Sequence, residues 1–199
     1  MRKEKEPLFQ ILRLIIFLAG IALVYFFWEW NGAKLLSDAL HSPATVNAQL
    51  VGTLAPDLKI PKEQMRNKQE FLLKDRKGQA VIVHFWATWC APCVQELPDL
   101  ISRAKSLRAE GYTFLTVAVD ENWNKLDSFF LRYPHLAELQ HTTTLALDPK
   151  SEIAEKFGSN RFPETFLINS SGLIDNKLVG PQPWLDPQIE AYLRHLKAR

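Results

Sequence analysis

Ala80-Val81-Ile82-Val83-His84-Phe85-Trp86 is a nearly continuous apolar run that ends four residues before the first of only two cysteines in the chain. Such a run suits a central strand covered on both faces. After the cysteines the period changes. Val94, Leu97, Ile101, Ala104 and Leu107 recur at helical spacing, and Gly111 is a stop signal. Cys90-Ala91-Pro92-Cys93 therefore sits between a strand end and a helix N-terminus.

The remaining pattern alternates. Ala55 to Leu73 reads as an irregular strand pair, and Lys77-Gly78-Gln79 as a turn. Thr113 to Val119 is a second β-rich run; Trp123, Leu126, Phe129 and Phe130 mark a helix that ends before Pro134. Thr144 to Leu147 reads as a strand, Ser151 to Phe157 as a short helix, and Glu164 to Ile168 as a strand. Ser170-Ser171-Gly172 turns the chain into Leu173 to Val179. A last helix runs from Asp186 to Leu196, with Asp186 as N-cap and Pro187 in its first turn. The expected fold is an α/β sheet of mixed direction with helices on both faces. Pro98 is expected to kink the helix that follows the cysteines.

Two cysteines three positions apart close too short a loop to contribute much as a structural staple. No second pair completes a zinc site, and Val94 rather than histidine follows Cys93, which excludes a haem-attachment motif. Redox chemistry remains, with no cofactor and no metal required. At a helix N-terminus, unsatisfied N–H groups and the dipole stabilise a thiolate, so Cys90 is the expected nucleophile with a lowered pKa. Cys93, one turn further in, is expected to be buried and to resolve a mixed disulfide on Cys90. The formal charge is +2, with no basic run interleaved with aromatics, so nucleic acid is a poor partner.

Leu14 to Trp28 is an uncharged apolar run preceded by Arg2, Lys3, Lys5 and Arg13. Taken from Leu8 to Trp30, with Arg13 snorkelling, a helix would be about 34 Å long, enough for a bilayer core of about 30 Å. The run ends in aromatics suited to a membrane interface, and no small-residue cleavage site follows closely. An uncleaved anchor is expected; a cleaved signal peptide and a buried core helix are the alternatives. The cations before the run place the N-terminus in the cytoplasm and the cysteines outside it. The expected domains are a cytoplasmic tip and transmembrane signal anchor over 1–30, a tether over 31–50 and a catalytic domain over 51–199.

Phe85-Trp86-Ala87-Thr88-Trp89-Cys90-Ala91-Pro92-Cys93, followed by Glu96-Leu97-Pro98, resembles the active-site region of the thioredoxin superfamily. It is similar to the TlpA/ResA/CcmG-like branch of membrane-tethered thioredoxins. Arg161-Phe162-Pro163-Glu164-Thr165-Phe166 is a second match, and Val179-Gly180 a third. The resemblance covers roughly residues 50 to 199 and implies a thioredoxin-like fold carrying Trp89 and Pro92 beside the cysteines. It implies a cis Pro163 facing the cysteines, with Phe162 as a substrate contact. It further implies disulfide reduction in client proteins outside the cytoplasm, such as apocytochrome c during cytochrome c maturation or a metallochaperone. An integral membrane donor would restore the thiols, and the bacterial inner membrane is the expected location. His84 stands where thioredoxins carry an aspartate; it is either an acid/base for Cys93 or a strand histidine bonded to backbone. Glu121 resembles a glutamate near the active site, or simply opens the next helix. Trp184 is expected in the core. The alternatives in function are a disulfide oxidase and a copper-handling thioredoxin-like chaperone using Cys90, Cys93 and a histidine.

Overall fold

In the computed structural model, which describes residues 10, 13, 15–23, 25–27 and 50–197, the run after Ala80 forms a strand over Val81–Trp86 with every side chain buried. Two short strands precede it, β1 (Lys59–Ile60) and β2 (Phe71–Leu72), so this central strand is β3. β4 (Thr113–Ala118), β5 (Thr144–Leu147), β6 (Glu164–Ile168) and β7 (Ile174–Val179) complete a five-stranded sheet of order β5-β4-β3-β6-β7. β3, β4 and β5 are parallel, whereas β6 runs antiparallel to both β3 and β7. β1 and β2 pair only with each other. They are shorter than the sequence suggests: beyond them, Leu73 N–H donates to the Leu58 carbonyl at 3.0 Å and Met65 bridges Ala146 of β5, and all three of Leu58, Met65 and Leu73 are buried.

From residue 50 on, the α-helices are α1 (Ala91–Arg108), α2 (Trp123–Arg132), α3 (Leu139–Thr142), α4 (Glu152–Lys156) and α5 (Pro187–Lys197). α1 runs through Pro98 without interruption. The Asn122 side chain caps α2 by accepting from Lys125 N–H, and Asp186 Oδ1 accepts from Gln188 N–H at 2.7 Å as N-cap of α5. Alternate residues of β3 serve different layers. Ala80, Ile82 and Trp86 pack with Leu97, Leu100 and Ala104 of α1, and with side chains of α2, α3 and α5. Val81, Val83 and Phe85 pack with Phe157 beside α4 and with the β1–β2 segment. Gly172, at φ +85°, makes the turn into β7, where Asn169 Oδ1 accepts from Ser171 and Leu173 N–H groups.

The chain separates into two units, Met1–Pro43 and Ala44–Arg199. In the first, residues 15–23 and 25–27 are helical and exposed at every position. Among the described residues no helix is long and apolar enough to cross a membrane. The anchor expected from Leu8 to Trp30 lies partly outside the described residues, and the tether from Asn31 lies outside them up to residue 49.

Leu100 is wholly buried between α1 and the sheet. Leu100→Ala is expected to cost about 2–5 kcal/mol, read as a lower urea midpoint at unchanged slope.

Candidate active site

β3 delivers its last residue, Trp86, to the sheet edge, and the chain then turns through Ala87-Thr88-Trp89 into α1. Two anchors fix this turn: Val119 N–H donates to the Trp86 carbonyl at 2.8 Å, and Cys90 N–H to the Ala87 carbonyl at 3.2 Å. A third is Asp120, buried just beyond β4, whose carboxylate accepts from Thr88 N–H at 3.1 Å and from the Thr88 hydroxyl at 2.6 Å. Asp120 rather than its neighbour Glu121 reaches the cysteine loop; Glu121 is exposed.

Cys90 is the N-cap of α1 and is joined to Cys93 by a disulfide with Cα atoms 5.3 Å apart. The Cys93 N–H points at Cys90 Sγ from 3.4 Å. That amide and the helix terminus are placed to stabilise negative charge on Cys90 once the bond is open. Cys90 retains 6% exposure and Cys93 none. Only the first sulfur can be approached from outside.

The approach is aromatic. Trp89 is 67% exposed, and its ring lies 6.1 Å from that of Phe162. Phe162–Pro163 is a cis peptide. Glu164 pairs with Phe85 across β3 and β6, so Pro163 falls level with the end of β3, where the cysteine loop leaves the sheet. The register thus sets Pro163 level with the loop that carries Trp89 and Cys90, and Phe162 reaches Trp89. Pro92 is exposed in the first turn of α1.

Beneath the disulfide lies a buried polar group. His84 is wholly buried on β3, with Nδ1 2.9 Å from Thr165 Oγ1 and Nε2 3.7 Å from Glu96 Oε1. Glu96 projects from α1 three residues after Cys93. Its Oε2 accepts from Gln182 N–H at 2.9 Å and from Trp184 Nε1–H at 2.8 Å. Burial pushes the Glu96 carboxyl up to about 7, against the two donors that pull it down. Burial drives the His84 imidazole down to about 3. The imidazole is bonded to a side chain and not to backbone. Sequence reasoning assigned Glu96, Gln182 and Asp120 no role and gave Trp184 only packing. One signal was present for Glu96: with Cys93, Leu97, Leu100 and Ala104 it occupies the buried helical face. Among the described residues, no group of three or more His, Cys, Asp or Glu is placed to hold a metal ion.

This arrangement, a parallel β-unit ending in a disulfide at a helix mouth and faced by a cis-proline strand, defines a thioredoxin-like domain. Residues 51–177 match the AhpC/TSA family, and the chain belongs to it. It is 28% identical over 198 residues to the thiol-disulfide oxidoreductase ResA of Bacillus thuringiensis (strain Al Hakam), covering 98% of each chain. ResA of Bacillus subtilis (strain 168) is 27% identical over 135 residues, 66% of this chain and 69% of that one. Among solved structures, a thiol:disulfide interchange protein of the thioredoxin family from Chlorobium tepidum TLS superposes with a TM-score of 0.59 at 25% identity, covering 76% and 99%. StoA from Bacillus subtilis shares the fold, with a TM-score of 0.55 at 24% identity over 69% and 98%.

A carboxyl raised from 4.5 to about 7 binds more protons in the folded chain than in the unfolded one between those values. Its stability contribution is full below about pH 4.5 and is lost as pH rises through about 7, on the order of 3 kcal/mol. His84, lowered from 6.5 to about 3, acts oppositely over its own window. Glu96→Gln is therefore expected to gain stability relative to the unsubstituted chain between pH 5 and pH 8, measured as the difference in urea unfolding free energy.

Proposed function

We propose that this chain performs thiol–disulfide exchange through Cys90 and Cys93, outside the cytoplasm and tethered to the inner membrane, passing electrons to disulfides of client proteins. The observation that carries the chemistry is the disulfide at the N-cap of α1, with one sulfur reachable and the other sealed. In the reduced state the Cys90 thiolate attacks a client disulfide, forming one S–S bond and releasing one client thiolate. Cys93 then displaces the second client sulfur from Cys90. The client leaves with two thiols, and the chain holds the disulfide seen here.

Glu96 takes the proton that Cys93 gives up in the second step. It lies on the Cys93 side of α1, three residues on, where side chains are neighbours, and its raised pKa suits a group that both accepts and returns a proton near neutrality. Trp89, Phe162 and Pro163 form the surface on which an extended client segment docks, Trp89 and Phe162 offering apolar contact at the rim. The reductive direction, the apocytochrome or metallochaperone client and the integral membrane donor rest on the resemblance of the motif to membrane-tethered relatives. Against the copper-handling reading, His84 is engaged with Thr165 and faces Glu96 beneath the pair, not the sulfurs from outside.

The tether is supported by the N-terminal helix. Ile15, Ile16, Phe17, Leu18, Ile21, Leu23, Tyr25, Phe26 and Phe27 are each more than half exposed, on all sides of the helix. An apolar surface that surrounds a helix calls for a lipid environment. We divide the chain accordingly into an anchor over 1–30, a tether over 31–50 and a catalytic domain over 51–199.

Cys93→Ala leaves no resolving thiol. In the native membrane it is expected to accumulate a covalent adduct on Cys90 that dithiothreitol releases; absence of such an adduct overturns the exchange reading. Deleting residues 1–30 is expected to move the chain from the carbonate-resistant membrane fraction to the soluble one.

A further inference from the structure

Two buried side-chain atoms beneath the cysteines, His84 Nε2 and Glu96 Oε1, have no hydrogen-bond partner and face each other at 3.7 Å. Their surroundings restrict what can lie between them. Both donors to Glu96, Gln182 N–H and Trp184 Nε1–H, end on Oε2. Oε2 is an acceptor whatever the charge of the group, so a proton on Glu96 sits on Oε1, toward the imidazole. On the far side of the ring, Nδ1 meets the Thr165 hydroxyl at 2.9 Å. A hydroxyl accepts from an N–H or donates to a bare ring nitrogen equally well.

The imidazole therefore has two neutral forms, both satisfied. With hydrogen on Nδ1, donated to Thr165, the Nε2 lone pair is ready for a protonated Oε1. With hydrogen on Nε2, donated to a Glu96 carboxylate, Nδ1 accepts from the Thr165 hydroxyl. An N–H···O bond needs about 2.9 Å, so the contact closes with a shift of about 0.8 Å. The other groups facing His84 bring no charge. Thr116, opposite on β4, is bonded to Thr143. The Trp184 ring stands edge-on at 6.1 Å. Arg103 of α1 reaches this network only through the Trp184 carbonyl and is paired with Glu190.

We propose that His84 is a positioning residue that switches tautomer as Glu96 gains or loses its proton, so that one hydrogen always lies between Nε2 and Oε1. Between the two states the pair gains a single proton, on Glu96, and the ring carries one in each. A buried carboxyl can then act as acid and as base without leaving an unsatisfied atom in a dry core. The inference rests on the exchange chemistry proposed above, but its test does not need turnover.

The test is the ring ¹⁵N shifts of the oxidised full-length chain labelled in its five histidines, with His84 identified by the signals lost in His84→Asn. From about pH 5 to about pH 9 the ring is expected to stay neutral and to cross from the Nδ1–H to the Nε2–H form. Glu96→Gln presents an amide N–H to Nε2 and is expected to lock the Nδ1–H form throughout. Thr165→Val, which can neither donate nor accept, removes the Nδ1 partner from both forms alike and is expected to leave the crossing in place. A single tautomer at every pH, or an imidazolium, overturns the proposal. If instead dithiothreitol fails to reduce Cys90–Cys93 while the crossing persists, it is the exchange reading that falls.

Discussion

β3 is hydrogen-bonded along both edges and covered on both faces, so its side chains meet water only where the strand ends. That enclosure makes the cysteine site possible. The loop after Trp86 is held to β4 by Val119 and Asp120, which fixes where α1 begins to within a hydrogen bond. α1 in turn buries Leu97, Leu100 and Ala104 against the same sheet, so its first turn cannot drift. A thiolate at that mouth gains from N–H groups already oriented, and no reorganisation is needed when charge develops.

Enclosure also sets the cost of Glu96. A carboxyl beside an apolar sheet loses its water, and the structure compensates from the loop between β7 and α5. Gln182 and Trp184 both donate to Oε2, while the Trp184 carbonyl accepts from Arg103 of α1 at 2.8 Å. The loop is thereby tied to α1 at two levels, and Trp184, wholly buried, packs and donates at once.

The parts of this arrangement that were legible in sequence are the local ones. β3, α1 and the β6–β7 hairpin announce themselves through an unbroken apolar run, a helical period and a Ser-Ser-Gly turn, because each is stabilised mainly by its own pattern. The single turn of α3 was not foreseen, since four residues carry too little period to read. The partners of Glu96 were hidden for a different reason: Gln182 and Trp184 lie 86 and 88 residues away, and only the packing of α5 brings their loop across α1. His84 was visible as an oddity inside an apolar strand, but what it faces depends on helix register and sheet order together.

The other face of the sheet supplies a comparison. There Glu164 of β6 and Lys177 of β7, diagonal neighbours in the register, form an ion pair at 3.0 Å, both almost wholly buried, with the ammonium also bonded to the Gly158 carbonyl and set over the Phe166 ring. A lysine ammonium has hydrogens to give and no lone pair to offer, so this pair has one arrangement and serves to fix β7 against β6. An imidazole has both. Among the described residues these two acid–base pairs are buried on opposite faces of one small sheet, and the pair that includes an imidazole is the one whose carboxylate, on α1, stands one helical turn from Cys93. Had the two been built from the same residues, burial alone would account for both. The difference in chemistry tracks the difference in place, since the two pairs lie on opposite faces of the sheet and the face with His84 and Glu96 is the one that packs against α1 and the cysteines.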